Sequence, residues 1–226
     1  VRRVLHVAWP FVGVLVTGLM VPVIVAGAFM VLVDRRARLF RASCLAVVLM
    51  WVAIRMPLGC WALWARTPAQ SSPTWREDHE KLFSTALDSL MYYARRWVGL
   101  EVVLEDRMHF GSDDEPLLAL ARHAGPADSL AIAWLLSRTA GRLPRIVLAE
   151  ALRWDPGIDT ILSRLQSFFM PAQAHPGQDR AAGLGEMAAT MRDNDVFVIF
   201  PEGQNWTPTR RAGMIRRLRE RGDTAL

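Results

Sequence analysis

The first 65 residues are far more hydrophobic than the rest of the chain. No charged residue lies between Val7 and Val33, and a helix over that run would measure about 40 Å, enough to cross a hydrocarbon core of roughly 30 Å. A basic connector, residues 34–41, precedes a second apolar stretch, Ala42–Ala65, which contains Arg55. Because a charge at mid-bilayer costs about 2.5–3.5 kcal/mol, this stretch is either a poor second span or a helix in the membrane interface.

The apolar run at the N-terminus is too long for a signal peptide, whose apolar core has about 7–15 residues. We therefore interpret residues 1–66 as a membrane anchor of one or two hydrophobic helices. Residues 67–73 have linker composition, and capping-box spacing predicts a helix that begins at Thr74. Its apolar residues recur at helical spacing, which indicates core packing, so residues 67–100 form a linker and an amphipathic helix.

From residue 101 onward, short apolar runs alternate with helical stretches. The apolar runs are Val102–Leu104, Leu117–Leu120, Ile146–Leu148 and Val196–Phe200. The helical stretches are Ser129–Thr139 and Gln178–Met191. This alternation predicts an α/β domain over residues 101–226.

The chain carries a formal charge of +5, and Lys81 is its only lysine. A basic surface can face nucleic acid, anionic lipid or phosphorylated metabolites; the apolar N-terminus favours lipid, and no nucleic-acid motif is present. The two cysteines, Cys44 and Cys60, lack metal-ligand spacing. Asp155 and Asp159 are interpreted as residues of a solvated loop, so no metal site is expected.

A first candidate site follows the apolar run 117–120. There Gly125 and Pro126 separate His123 from a helix that begins near Asp128. We expect His123 at a strand end, Asp128 or Ser129 as the helix N-cap, and a loop that folds the carboxylate back to the imidazole. Taken alone, the segment favours a simpler interpretation, a loop histidine beside an aspartate that merely caps a helix.

A second candidate site is the segment Phe200–Gly203, with the sequence Phe-Pro-Glu-Gly. It directly follows an apolar run, so its turn would expose the Glu202 carboxylate at the sheet edge where α/β proteins place their sites. An ordinary turn with a solvated glutamate is the alternative.

Together the two segments resemble the glycerolipid acyltransferase family, whose best-known members are the lysophosphatidic acid acyltransferases. That family carries a His-x4-Asp motif followed by Phe-Pro-Glu-Gly; here His123 and Phe200 are 77 positions apart (200 − 123). The segment Pro144–Gly157 looks like the family's middle block, and the resemblance covers roughly residues 101–211. It implies an α/β fold with an acyltransferase-type mixed sheet flanked by helices, behind a hydrophobic helical membrane anchor.

The resemblance also implies a role for each matching residue. His123 is the general base on the acceptor hydroxyl, and Asp128 orients it. Glu202 and Gly203 help to hold the glycerol-phosphate part, and Arg164 binds the phosphate. The donor is an acyl thioester of coenzyme A or acyl carrier protein, and no other cofactor is implied. The expected reaction acylates a lysophospholipid, 1-acylglycerol-3-phosphate, to give phosphatidic acid in phospholipid biosynthesis.

The chain departs from the family pattern at several positions. Arg122 stands where the family often has Asn or Ser, and it joins the candidate substrate-binding residues. Gln204–Trp206 replaces the common Thr-Arg-Ser, so Arg210 and Arg211 either supply a phosphate contact or form a solvated basic turn. The family continues with a further strand, and the domain is therefore expected to be incomplete at its C-terminus.

Two other functions stay open: the same chemistry on another lipid or glycolipid acceptor, and a non-catalytic, membrane-anchored lipid-binding protein. Thioester donors are cytosolic, so the catalytic domain is expected on the cytoplasmic face of the membrane. The favoured topology has one span, Val7–Val33, with Ala42–Ala65 on the inner leaflet, because it keeps the connector arginines inside. Two spans, or two helices dipping into one leaflet, are the alternatives.

Overall fold

The computed structural model describes residues 2–30, 37–66, 72, 74–104, 115–123, 125, 127–171, 180–201, 207–220 and 222. Within these ranges the α-helices are α1 (Arg2–Met30), α2 (Arg38–Arg66), α3 (Thr74–Tyr93), α4 (Asp128–Thr139), α5 (Pro156–Arg164), α6 (Arg180–Ala189) and α7 (Pro208–Glu220). The strands are β1 (Leu117–Leu120), β2 (Leu143–Ala149), β3 (Phe168–Met170) and β4 (Asp195–Ile199). A π-helical segment, Ala94–Val98, extends α3, and a 3₁₀ helix, Glu150–Trp154, follows β2.

The four strands form one sheet in the order β1-β4-β2-β3. Every pairing between them is parallel, because helices return the chain to the same edge before each new strand begins. The α/β class is confirmed, whereas the mixed sheet expected from the family resemblance is wrong for the described strands. All four strands point their carboxyl ends at one edge. We call it the catalytic edge because the motifs predicted to be catalytic follow β1 and β4.

The apolar pattern located three of the four strands. The runs at 117–120, 146–148 and 196–200 overlap β1, β2 and β4, respectively. Within the described ranges, the two helical stretches correspond to α4 and α6. The run Val102–Leu104 forms no strand, and Val103 is 71% exposed. Strand β3 was missed because it has only three residues, too few for a period-2 pattern to show.

One hydrophobic core joins the apolar N-terminal part to the sheet. Met56 and Cys60 of α2 and Phe83 and Leu87 of α3 belong to the same buried cluster as Ile161 of α5 and the sheet residues. The stripe on α3 is therefore core, as its spacing indicated. The cluster crosses residue 66, where the sequence pattern placed the end of the anchor.

Helices α1 and α2 lie antiparallel and in close contact. Gly13 faces Ile54, and a Cβ on Gly27 would lie 3.1 Å from the Phe40 Cα, so small residues let the two backbones approach. Next to the contact between Gly13 and Ile54, Trp9 Nε1 donates to the Ala53 carbonyl at 3.2 Å. A single span with α2 lying alone across the inner leaflet does not fit this side-by-side packing.

Both helices are long and apolar enough to cross a membrane by length and composition alone. The candidate segments are Val7–Phe29 and Arg38–Arg66, with mean hydropathies of 2.3 and 1.8. Between residues 7 and 29 most of α1 is exposed, but α2 buries Ile54, Met56 and Cys60 in its second half. The connector residues 31–36 lie outside the described residues.

Candidate active site

The two sequence motifs meet at the catalytic edge. Strand β1 pairs with β4 to Leu120 and Ile199, and the Ala121 amide continues the ladder by donating to the Ile199 carbonyl at 3.0 Å. Three residues past β1, the His123 ring packs on the Phe200 ring with 4.8 Å between centroids. Residues 77 positions apart in sequence are thus neighbours because their strands are adjacent and parallel.

The loop after β1 folds back on itself, as expected. The Asp128 Oδ2 atom accepts a hydrogen bond from the Gly125 amide at 2.6 Å and lies 3.5 Å from His123 Nδ1. Asp128 is the first residue of α4, and the N-cap is Ala127, which makes no side-chain cap bond. The expectation that Asp128 or Ser129 caps the helix is therefore wrong: the Asp128 carboxylate is turned toward the loop instead.

This geometry assigns different tasks to the two imidazole nitrogens. With Nδ1–H directed at Asp128, the Nε2 atom of His123 carries the lone pair that a general base needs. A separation of 3.5 Å is long for a hydrogen bond, and such contacts shorten when substrate binds. The His123 and Asp128 side chains are 21% and 30% exposed, so a substrate can reach them.

Two residues of the second motif, Phe200 and Pro201, lie at the same edge. Pro201 is an exposed turn residue two positions after the end of β4. Glu202 and Gly203, the predicted contacts for the glycerol-phosphate part, lie outside the described residues, and their role stays a prediction. Arg122 is exposed beside His123, which suits the predicted substrate contact without testing it.

Arg164, the predicted phosphate ligand, is held by three helices. It ends α5, and its Nη1 atom donates to the Cys60 carbonyl of α2 at 2.6 Å and to His79 Nε2 of α3 at 2.8 Å. Its guanidinium also lies 5.2 Å from the centre of the Trp75 ring. These contacts indicate a structural joint between α2, α3 and α5, and phosphate binding by Arg164 stays a prediction.

The joint requires a neutral His79. Its Nδ1 lies 2.6 Å from the Trp75 carbonyl, so it must donate there, while Nε2 must accept from Arg164. The side chain is fully buried. Burial is the largest cause, and it lowers the pKa of His79 below its usual value. The bond to the Trp75 carbonyl and the Asp78 charge raise the pKa, whereas the Arg164 charge lowers it further.

One arginine at the catalytic edge was not singled out by sequence reasoning. Arg153 lies on the 3₁₀ helix after β2, the strand next to β4. Its guanidinium stacks 4.6 Å from the Phe169 ring centre, its Nε is 3.8 Å from Asp159 Oδ1, and its side chain is 34% exposed. The sequence did contain a signal for Arg153, namely its position in the middle block shortly after an apolar run.

Asp155 and Asp159 have specific contacts and are not loop residues in solvent. Asp155 caps α5, with Oδ1 accepting from the amides of Gly157 at 2.8 Å and Ile158 at 3.1 Å. Asp159 is buried inside α5, and its Oδ1 lies 3.3 Å from Ser163 Oγ. The solvated-loop interpretation is wrong for both. Among the described residues no three His, Cys, Asp or Glu side chains form a metal-binding group.

Comparison with known proteins adds one match. The family model described as "Acyltransferase" matches residues 98–220, just over half of the chain and the part that holds both motifs, the sheet and α7. No curated protein and no solved structure matches the chain significantly.

Proposed function

The chain belongs to the acyltransferase family, that of the glycerolipid acyltransferases, and from this premise we propose that it acylates a lysophospholipid. The proposed reaction moves a fatty acyl group from a thioester to the free hydroxyl of 1-acylglycerol-3-phosphate, giving phosphatidic acid. The observation that carries the proposal is the position of His123 between Asp128 and Phe200. A base with an orienting carboxylate is what an alcohol nucleophile requires.

The proposed chemistry needs no covalent enzyme intermediate. His123 Nε2 takes the proton of the acceptor hydroxyl while its oxygen attacks the thioester carbonyl. The resulting oxyanion is stabilised by first-turn amides of α4, which begins at Asp128. The tetrahedral intermediate then expels the thiolate, which takes the proton from the His123 imidazolium. The products are an ester and a free thiol, and Asp128 stabilises the imidazolium in between.

The proposed phosphate contacts are the arginines of the catalytic edge. Strands β1 and β2 are separated by β4, so their ends are about 10 Å apart. Arg122 beside His123 and Arg153 beyond β4 therefore flank the place where the acceptor hydroxyl would sit. With Glu202 and Gly203 they form the proposed acceptor site, and Arg164 supports it from the buried joint behind. The donor is a thioester of coenzyme A or acyl carrier protein.

The decisive test is a direct assay of acyl transfer. Membranes holding the protein are incubated with labelled acyl-coenzyme A or acyl carrier protein and a panel of lysolipids and glycolipids, and the products are identified. We expect labelled phosphatidic acid, and no product from the His123→Ala variant. Product formed only from another acceptor would establish the same chemistry on a different lipid. No product from any acceptor, with binding of lysolipid retained, would indicate a non-catalytic lipid-binding protein.

We propose that the protein acts at the membrane, with the catalytic edge on the cytoplasmic face. Large apolar side chains such as Phe11, Leu15, Leu19 and Phe29 are exposed on α1, and this exposure supports a position in hydrocarbon. Because α1 and α2 pack together, either both cross or both dip into one leaflet. The test places single cysteines in residues 31–36 after replacement of the native cysteines. Labelling of intact cells by an impermeant thiol reagent would indicate two spans.

A further inference from the structure

Helix α7 (Pro208–Glu220) holds most of the net charge of the chain. It contains five arginines and one glutamate within 13 residues, a net charge of +4 (5 − 1). The whole chain has a net charge of +5, so the remaining residues together contribute +1 (5 − 4). None of its residues belongs to the buried core, and its one glutamate, Glu220, lies 3.9 Å from Arg216 within the same helix, so the helix keeps a large excess of positive charge at its surface.

The arginines of α7 are exposed, and none of its residues is buried. Between them lie apolar side chains: Met214 is 40% exposed, and Ile215 and Leu218 are partly exposed. A shallow groove along the helix has Ala212 and Ile215 in its lining, together with three arginines, Arg211, Arg216 and Arg219. Apolar groups beside several cations match the boundary between acyl chains and anionic headgroups, where arginine stems extend along apolar surface.

Helix α7 is also tied to the catalytic edge. The Phe200 ring contacts His123, and Pro208 follows Phe200 by eight residues, so even a fully extended connection spans no more than about 28 Å. A surface that binds the start of α7 consequently lies within about 28 Å of the residue whose ring contacts His123. For an enzyme whose acceptor is a membrane lipid, that surface is the leaflet carrying the acceptor.

We propose that α7 lies on the membrane with its arginines among anionic phospholipid headgroups, and so turns the catalytic edge toward the leaflet. This proposal rests on the proposed function for the identity of the acceptor. A lipid surface fits better than an acidic protein, because the exposed apolar side chains of α1 support the membrane location already proposed. Each arginine near an anionic surface shifts binding by about five-fold, so several arginines together give a strong preference.

The test measures where α7 lies in the full-length protein. A Met214→Cys variant carries an environment-sensitive fluorophore; Cys44 is replaced by Ser, whereas Cys60 is fully buried and is left in place. The protein is reconstituted in phosphatidylcholine vesicles with or without phosphatidylglycerol, and quenching by acrylamide from the aqueous phase is recorded. We expect shielding of the label only when phosphatidylglycerol is present, and loss of shielding at high salt.

The matched control removes three positive charges from α7 in one variant and three from elsewhere on the protein in another. Replacement of Arg216, Arg217 and Arg219 by Gln should weaken the shielded state by roughly 100-fold, at about five-fold per charge. Replacement of three exposed arginines outside α1, α2 and α7, namely Arg95, Arg138 and Arg192, should leave it unchanged. The α7 variant should also raise the KM for acceptor presented in these vesicles, and should not change the KM for a short-chain, water-soluble acceptor.

Three outcomes would overturn the proposal. Equal quenching with and without phosphatidylglycerol would exclude recognition of anionic lipid. Shielding of the label in detergent alone would show that α7 packs on the protein itself. Shielding by a soluble acidic protein as strong as that by vesicles would indicate a protein partner. The quenching measurement needs no turnover, so its result is separate from the outcome of the acyl-transfer assay.

Discussion

Two histidines of the described part of the chain, His79 and His123, contact charged side chains, and they are held in opposite ways. His79 is fully buried, and its two nitrogens lie 2.6 Å and 2.8 Å from the Trp75 carbonyl and Arg164. His123 is 21% exposed, and its nearest carboxylate oxygen is 3.5 Å away. The first histidine has both nitrogens occupied inside the protein, whereas the second keeps Nε2 directed away from its carboxylate.

The difference distinguishes a histidine with a structural role, His79, from one whose geometry suits a general base, His123. A ring whose two nitrogens are both bonded in the core cannot take a proton from a substrate without breaking one of those bonds. A ring at an exposed strand end, loosely oriented by Asp128, can do so and can tighten its contact as charge develops. Proximity of a histidine to a charged group is therefore a poor guide to function unless the free nitrogen is identified.

The largest expected effect tests this separation directly. His123→Ala should reduce turnover by roughly 10²- to 10⁴-fold, because the acceptor loses its base, while the unfolding midpoint stays within a few degrees of the wild-type value. His79→Ala should do the reverse and destabilise the fold, with turnover per folded molecule kept. Turnover and thermal unfolding of both variants in detergent are the measurements. Near-wild-type turnover in His123→Ala would exclude the mechanism.

Asp128→Asn should have a smaller effect on the same step. The amide keeps the shape of the side chain, but it stabilises the imidazolium poorly and can favour the wrong imidazole tautomer. We expect turnover to fall by roughly 10²-fold with little change in KM, since the long contact to His123 tightens only as charge develops. A kcat equal to that of the wild type would show that the 3.5 Å contact does not contribute to the chemistry.

Arg164→Ala extends the comparison to the partner of His79. The variant removes charge-assisted bonds to the Cys60 carbonyl and His79, so the free energy of unfolding should fall by about 3 kcal/mol. The acceptor KM, measured on the folded fraction, should stay unchanged. A raised KM with unchanged stability would instead support the phosphate role that the family resemblance implies for Arg164.

Arg153→Ala is the matched change at the exposed edge. Loss of one charge-assisted phosphate contact should raise the KM for a phosphorylated acceptor by roughly ten-fold. The KM for an acceptor without phosphate should stay the same, and the unfolding midpoint should move less than in Arg164→Ala. If the KM rises equally for both acceptors, Arg153 acts through its packing on the Phe169 ring and does not bind the phosphate.

The smallest expected effect is a pH dependence of stability from His79. Its pKa is lowered in the folded state, so the folded protein binds fewer protons than the unfolded chain below about pH 6.5. The stability that the neutral ring provides is complete above that pH and is lost as the pH falls. Denaturant unfolding between pH 7.5 and 5 should show a steeper loss for the wild type than for His79→Gln. Parallel curves would exclude this contribution.

The elements found from the sequence are those set by local pattern. Strands β1, β2 and β4 followed from short apolar runs, and the resemblance to the family's His-x4-Asp motif implied the meeting of His123 with Asp128. The joint at Arg164 could not be predicted, because its partners Cys60 and His79 lie 104 and 85 positions away and no local pattern encodes them. Asp155 was misjudged because its capping role depends on where α5 begins, and a helix of nine residues gives a weak periodic signal.

The shared core of α2 and the sheet has a consequence for how the protein is made. Residues 38–66 leave the ribosome before any strand, yet Met56 and Cys60 must meet Ile161 and the sheet residues to complete one cluster. A fragment that begins after α2 would leave this apolar surface in water, and we expect it to aggregate. Under the proposed membrane location, delivery of the first two helices to lipid is coupled to folding of the later domain. Helix α2 must then keep one side available for residues synthesised about 100 positions later.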